Sequence, residues 1–127
     1  MGEHVSCNCF RIADLTIQIH GGALASFVRA VRAASRSLMR FFRRTGRRYR
    51  VFNYLGEWHS HPSFTTEAST LDISSMLDIV GDAELGARFA LLLIVKLAVD
   101  DVIRCSAIVF LPDSTSLDAD VVLEEEK

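Results

Sequence analysis

The sequence predicts an α/β fold: a mixed β-sheet flanked by helices, in one compact domain. Three observations lead there. Extended segments rich in β-branched and aromatic residues stand at both ends of the chain, a segment of helical period lies between them, and the 127 residues are half apolar. With a mean hydropathy of +0.24, the chain is not a disordered polyelectrolyte.

Taken in order, residues 5–12 and 15–19 read as two strands separated by Ala13-Asp14, the simplest arrangement being a hairpin. After Gly21-Gly22 the period changes. Phe27, Val31, Ala34, Leu38 and Phe41 recur at steps of four and three, with Arg29, Arg32, Arg36, Arg40 and Arg43 largely on the other side. This spacing predicts an amphipathic helix closed near Gly46. Residues 47–55 return toward alternation and lead through Gly56 into a strand that ends in the loop after Pro62. Ser69 then precedes Asp72 by the capping-box interval, which predicts a short helix running to about Val80 and stopped by Gly81. Residues 89–97 and 102–111 are strongly apolar and joined through Asp100-Asp101, as expected for two buried strands of a second hairpin. Pro112 is expected to end the ordered pattern. The domain is thus read as residues 1–112, followed by an acidic and weakly ordered tail over 113–127.

Charge and cysteine content narrow the function classes. A net charge of −2 argues against a general nucleic-acid or membrane-surface binder. The longest apolar run, 89–95, ends at Lys96 and falls far short of the roughly 20 residues that span a bilayer, so no membrane helix is expected. Three cysteines cannot make a dense disulfide framework, and no secretory leader pattern opens the chain, so a reducing cytoplasm is the expected location. Cys7 and Cys9 read as small buried side chains and Cys105 as core.

The chemistry-bearing stretch is His59-Ser60-His61-Pro62, with Ser69 following His61 after seven intervening residues and Asp72 three positions later. Residues two apart on a strand share a face, so His59 and His61 can converge on one cation. Asp72 falls in the first turn of the next helix, where the helix dipole favours an ionised carboxylate. Two imidazoles and a carboxylate suit zinc and leave a fourth position open. The joint spacing arises by chance on the order of once in 10⁵. Each residue taken singly has an ordinary structural use, Ser69 as a helix cap and either histidine as a hydrogen-bonded surface residue.

The pattern resembles the JAMM (JAB/MPN) metalloisopeptidases, whose signature is a glutamate on an early strand, then His-x-His-Pro, a seven-residue gap, Ser, two residues and Asp. Residues 54–62, Tyr-Leu-Gly-Glu-Trp-His-Ser-His-Pro, are similar to the prokaryotic branch found beside ubiquitin-activating and ubiquitin-conjugating homologues in antiviral CBASS operons. The resemblance covers 54–72. It implies a JAB/MPN fold, zinc held by His59, His61 and Asp72, and Ser69 steadying the tetrahedral intermediate. It also implies hydrolysis of a peptide or isopeptide bond, with a ubiquitin-like protein or its conjugate as substrate.

Such chemistry needs a carboxylate to take a proton from water and pass it to the leaving amine. Glu3 heads the first strand 56 residues before His59, in the order the family has it, but is followed by His4-Val5-Ser6-Cys7-Asn8-Cys9 instead of the usual glycine-punctuated pattern. Glu57 is the rival, because 57, 59 and 61 share a strand face. A third reading has no operative base and makes the chain a non-catalytic MPN-like scaffold or protein-binding module. Two histidines and a carboxylate also form the facial triad of non-haem iron oxygenases, a reading disfavoured by the helix and by the shortage of strands for a double-sheet barrel.

Trp58 alternates away from the histidines and is expected to pack on the opposite side of the sheet. Phe64, in the loop after Pro62, is placed to line a substrate groove. Nine of the fourteen basic residues lie between Arg29 and Arg50, with no acidic residue from Leu15 to Gly56. That face is expected to be positive and to suit an acidic protein surface, nucleic acid being disfavoured by the scarcity of aromatic platforms.

Overall fold

The computed structural model describes residues 1–16, 35–60, 67–97 and 102–125. It has mixed α/β content and divides into two compact units, Met1–Leu55 and Gly56–Lys127, where the sequence reading has one domain followed by a tail.

In the first unit, β1 (Gly2–Ser6) pairs antiparallel with both β2 (Cys9–Ile12) and β3 (Phe52–Asn53), giving the order β2-β1-β3. The hairpin exists, but its turn is Cys7-Asn8, not Ala13-Asp14. Ala13 and Asp14 instead donate their N–H groups to the Met1 carbonyl and so extend the ladder. Leu15 and Thr16 are not in a strand, and the remainder of the expected 15–19 segment lies outside the described residues. The misplacement has a physical cause. Val5, Phe10 and Ile12 are all exposed, so no buried face pins the register, and a bulge between His4 and Ser6 absorbs one residue. Cys7 and Cys9 are likewise exposed free thiols, a correction to their reading as buried, because the turn lifts both off any packed surface.

Helix α1 is described over 35–44; the expected positions Phe27, Val31 and Ala34 lie outside the described residues. Its end is as expected. Gly46, at a φ of 71°, donates to the Arg43 carbonyl, and Arg47 donates to that of Phe42, the paired bonds of a Schellman cap. The inward face of the helix carries Phe41, which is fully buried and meets the Phe52 ring edge-on. Leu55 is buried in the same unit.

In the second unit β4 (Gly56–Ser60) is followed by α2 (Thr70–Gly81) and then by β5 (Ala90–Leu97), parallel to β4. β5 pairs antiparallel with β6 (Ile103–Phe110), the expected second hairpin, and β6 with β7 (Ser116–Ala119), giving the order β4-β5-β6-β7. Residues 98–101, with the Asp100-Asp101 connection, lie outside the described residues. The ordered pattern does not stop at Pro112. Asp113 Oδ1 accepts from the N–H and hydroxyl of Thr115, and Ser114 takes a φ of 68°, a turn that reverses the chain into β7.

The core of this unit lies between α2 and one face of the sheet: Met76 and Val80 from the helix against Ala90, Leu92, Ile94 and Phe110. Asp72, Met76 and Val80 are the buried residues of α2 and recur every four positions, so Asp72 belongs to the same stripe as the apolar pair. Leu71 of the same helix faces away from this core and is 76% exposed. Gly56 lets β4 begin against β5, since a Cβ there would collide with the Leu91 backbone. No helix among the described residues is long and apolar enough to cross a membrane.

Candidate functional site

The site is assembled by β4, α2 and their registers. In β4, Glu57 lies opposite Leu92 and His59 opposite Ile94. Leu92 and Ile94 belong to the core under α2, so alternation points Glu57 and His59 to the face that carries the helix. Trp58, opposite Leu93, takes the other face and is partly buried, as its alternation predicts.

Asp72 comes to His59 from above. Ser69 caps α2 in extended conformation and closes a full capping box: its Oγ accepts from the Asp72 N–H at 3.1 Å, and Asp72 Oδ2 accepts from the Ser69 N–H at 2.8 Å. The other carboxylate oxygen, Oδ1, lies 2.6 Å from His59 Nδ1, the ring N–H donating to it. One short side chain therefore starts the helix and binds the strand.

Electrostatics follow from this geometry. Burial at 8% exposure pushes the Asp72 carboxyl upward, but hydrogen bonds from the Ser69 backbone and hydroxyl and from His59, with the attraction of the imidazole charge, outweigh it and hold the group below its ordinary 3.8. The carboxylate is therefore ionised at neutral pH, the state a cation requires.

His59, Ser69 and Asp72 are thus brought together. His61, Pro62 and Phe64 lie outside the described residues. Glu57 shares the His59 face. Glu3 sits in the first unit, on β1 opposite Arg11, whose guanidinium makes a 2.7 Å ion pair with its Oε2. Among the described residues no group of three His, Cys, Asp or Glu side chains gathers as a metal cage. The donor types of the described pair, an imidazole nitrogen and an ionised carboxylate, are those zinc takes, so the chemistry of the set fits that metal. The sequence reading did not bring Ile94, which pairs with His59, and Met76, one turn after Asp72, together with the site. The four-residue spacing from Asp72 to Met76 and Val80 was the available signal.

No family model, no curated protein and no solved structure matches this chain. The local geometry therefore carries the functional argument.

Proposed function

We propose that the chain is a zinc-dependent hydrolase of peptide or isopeptide bonds, of the JAMM type, acting on a ubiquitin-like protein or its conjugate. The observation that supports this most is the 2.6 Å contact between His59 and Asp72, two residues thirteen positions apart that the motif requires to meet. A bare helix cap would need only Ser69 and Asp72.

His59, His61 and Asp72 would hold the metal. A zinc ion there supplies a Lewis acid that polarises a carbonyl and acidifies water. The remaining work belongs to the protein. Ser69 turns its hydroxyl from the Asp72 carboxylate toward the oxygen on which negative charge develops and donates a hydrogen bond to it. Glu3, or Glu57 on the His59 face, removes the proton from water and hands it to the departing amine. Asp72 is anchored by the Ser69 N–H in the position from which it meets His59.

The ion pair between Glu3 and Arg11 favours a second reading, in which that carboxylate is structural and the chain is a non-catalytic MPN-like binding module. Metal analysis of protein purified without added metal, combined with cleavage of a ubiquitin-like fusion with and without a chelator, separates the two. Stoichiometric zinc and chelator-sensitive cleavage are expected. Protein that holds no zinc after incubation with it would sink the metal site, and zinc without cleavage would leave the binding module.

A further inference from the structure

The two units are oppositely charged. Residues 1–55 contain ten arginines and only two carboxylates, for a formal charge of +8, whereas residues 56–127 carry four basic and fourteen acidic residues, for −10. The basic residues of the first unit are all arginine, with no lysine. Both of its carboxylates are already committed: Glu3 to Arg11 at 2.7 Å, and Asp14 to Arg44 at 3.0 Å. The unit therefore has no acid of its own left for Arg36, Arg40, Arg43, Arg47 and Arg50, every one of them exposed.

Three of these form a line. Arg36, Arg40 and Arg43 follow the four-then-three spacing that places residues on one helix face, and they span about 10 Å of α1 at 1.5 Å per residue. Arg47 follows on the Schellman cap. Like charges at these intervals repel, so the row costs stability unless something outside the unit neutralises it. Guanidinium groups take carboxylates in pairs of parallel hydrogen bonds, which an ammonium cannot do.

We infer that the exposed face of α1, with Arg36, Arg40 and Arg43 at its centre, is a docking surface for an acidic, carboxylate-rich segment of a protein partner. Acidic side chains at the same four-then-three spacing on one face of a partner helix recur about every 5 Å, a repeat that fits the two steps of this row. Nucleic acid fits less well. Stacking would need open aromatic faces, but the Phe52 ring is covered by the Arg48 guanidinium at 4.8 Å, and Tyr49 is engaged edge-on with Phe42 at 4.8 Å. The inference uses no part of the metal site and stands or falls apart from the hydrolase reading.

The test is fluorescence anisotropy of the full chain at physiological salt, with a labelled Glu-rich peptide and a labelled DNA duplex as probes. Peptide binding is expected, weakening with salt, and falling about tenfold or more when Arg36, Arg40 and Arg43 are all replaced by Gln. The corresponding Lys variants should recover only part of it, and Arg88→Gln, in the other unit, should leave it unchanged. Tighter binding of the duplex than of the peptide, no peptide binding, equal loss with Arg88→Gln, or a triple Gln variant that binds as well as the parent would each overturn the proposal. Circular dichroism of the triple variant confirms that α1 is retained; if it is not, the charge-keeping Lys variants decide, and full loss of binding in them with the helix intact overturns the surface as well.

Discussion

His59 Nδ1 and Asp72 Oδ1 meet at 2.6 Å, while the second oxygen of the same carboxylate receives the backbone N–H of Ser69. A helix N-terminus and a strand are thereby joined through one side chain, and any change at Asp72 acts on both. Asp72→Asn keeps the shape but removes the charge. Zinc affinity is expected to fall by at least about tenfold, with loss of cleavage, and equilibrium dialysis against zinc measures it. Unchanged affinity would remove Asp72 from the ligand set.

Ser69 has two separable uses. Asparagine caps helices about as well as serine but offers no hydroxyl, so Ser69→Asn should keep stability within a few tenths of a kcal/mol while lowering kcat, by about 100-fold if the hydroxyl stabilises the oxyanion. Ser69→Ala loses the cap as well and should cost about 1 kcal/mol in urea denaturation. Equal turnover in Ser69→Asn and the parent would make the hydroxyl a cap and nothing more.

Stability should depend on Asp72 at acid pH. Its carboxyl is held below the ordinary 3.8, so the folded state binds the proton less readily than the unfolded chain. The resulting stabilisation is complete above the unfolded value and disappears as pH drops below 3.8 through the folded value. Urea midpoints measured from neutrality to strong acid should decline in that window, and the decline should be shallower in Asp72→Asn. Parallel curves for the two proteins would assign the acid sensitivity to other carboxylates.

The base assignment is decided by two variants. Glu3→Gln breaks a partly exposed ion pair with Arg11 and should change stability by less than about 1 kcal/mol. If Glu3 is the base, cleavage stops while zinc content is unaltered. Should Glu57→Gln alone stop cleavage, the base lies on β4; should neither variant matter in an active protein, both carboxylates are excluded.

What could be read from the sequence follows the range of the interactions that determine it. The cap at Ser69 and the stop of α1 at Gly46 are local, set within a turn or two, and both stand where the pattern places them. The β1–β2 turn is different. Its flanking residues Val5, Phe10 and Ile12 are solvent-exposed, so hydrophobic alternation carried no information about which face was inward. β7 was hidden for another reason: Ser-Leu-Asp-Ala has little strand propensity, and the partner that orders it, β6, is the one with the strong pattern. The turn at Asp113, with an acceptor side chain two residues before Thr115, was the legible warning. Within the site, the spacing could place His59 and Asp72 on neighbouring elements. It could not show that one carboxylate divides its two oxygens between the cap and the imidazole.

Packing under the site should be coupled to it. Met76 is fully buried one turn beyond Asp72 and lies in the cluster with Leu92 and Ile94, the latter being the register partner of His59. Met76→Ala removes the side chain that sets α2 at its height above the sheet, and it should cost about 2–5 kcal/mol, the spread reflecting how far the helix can settle into the gap. Settling would shift Asp72 relative to His59, so zinc affinity should fall although no ligand has been touched. Met76→Leu conserves volume and should restore stability to within about 1.5 kcal/mol of the parent, together with the affinity. Dialysis against zinc beside urea denaturation of both variants tests the coupling. If Met76→Ala unfolds more readily yet holds zinc as tightly as the parent, the position of α2 is set elsewhere, by the Ser69 cap and the His59 contact themselves.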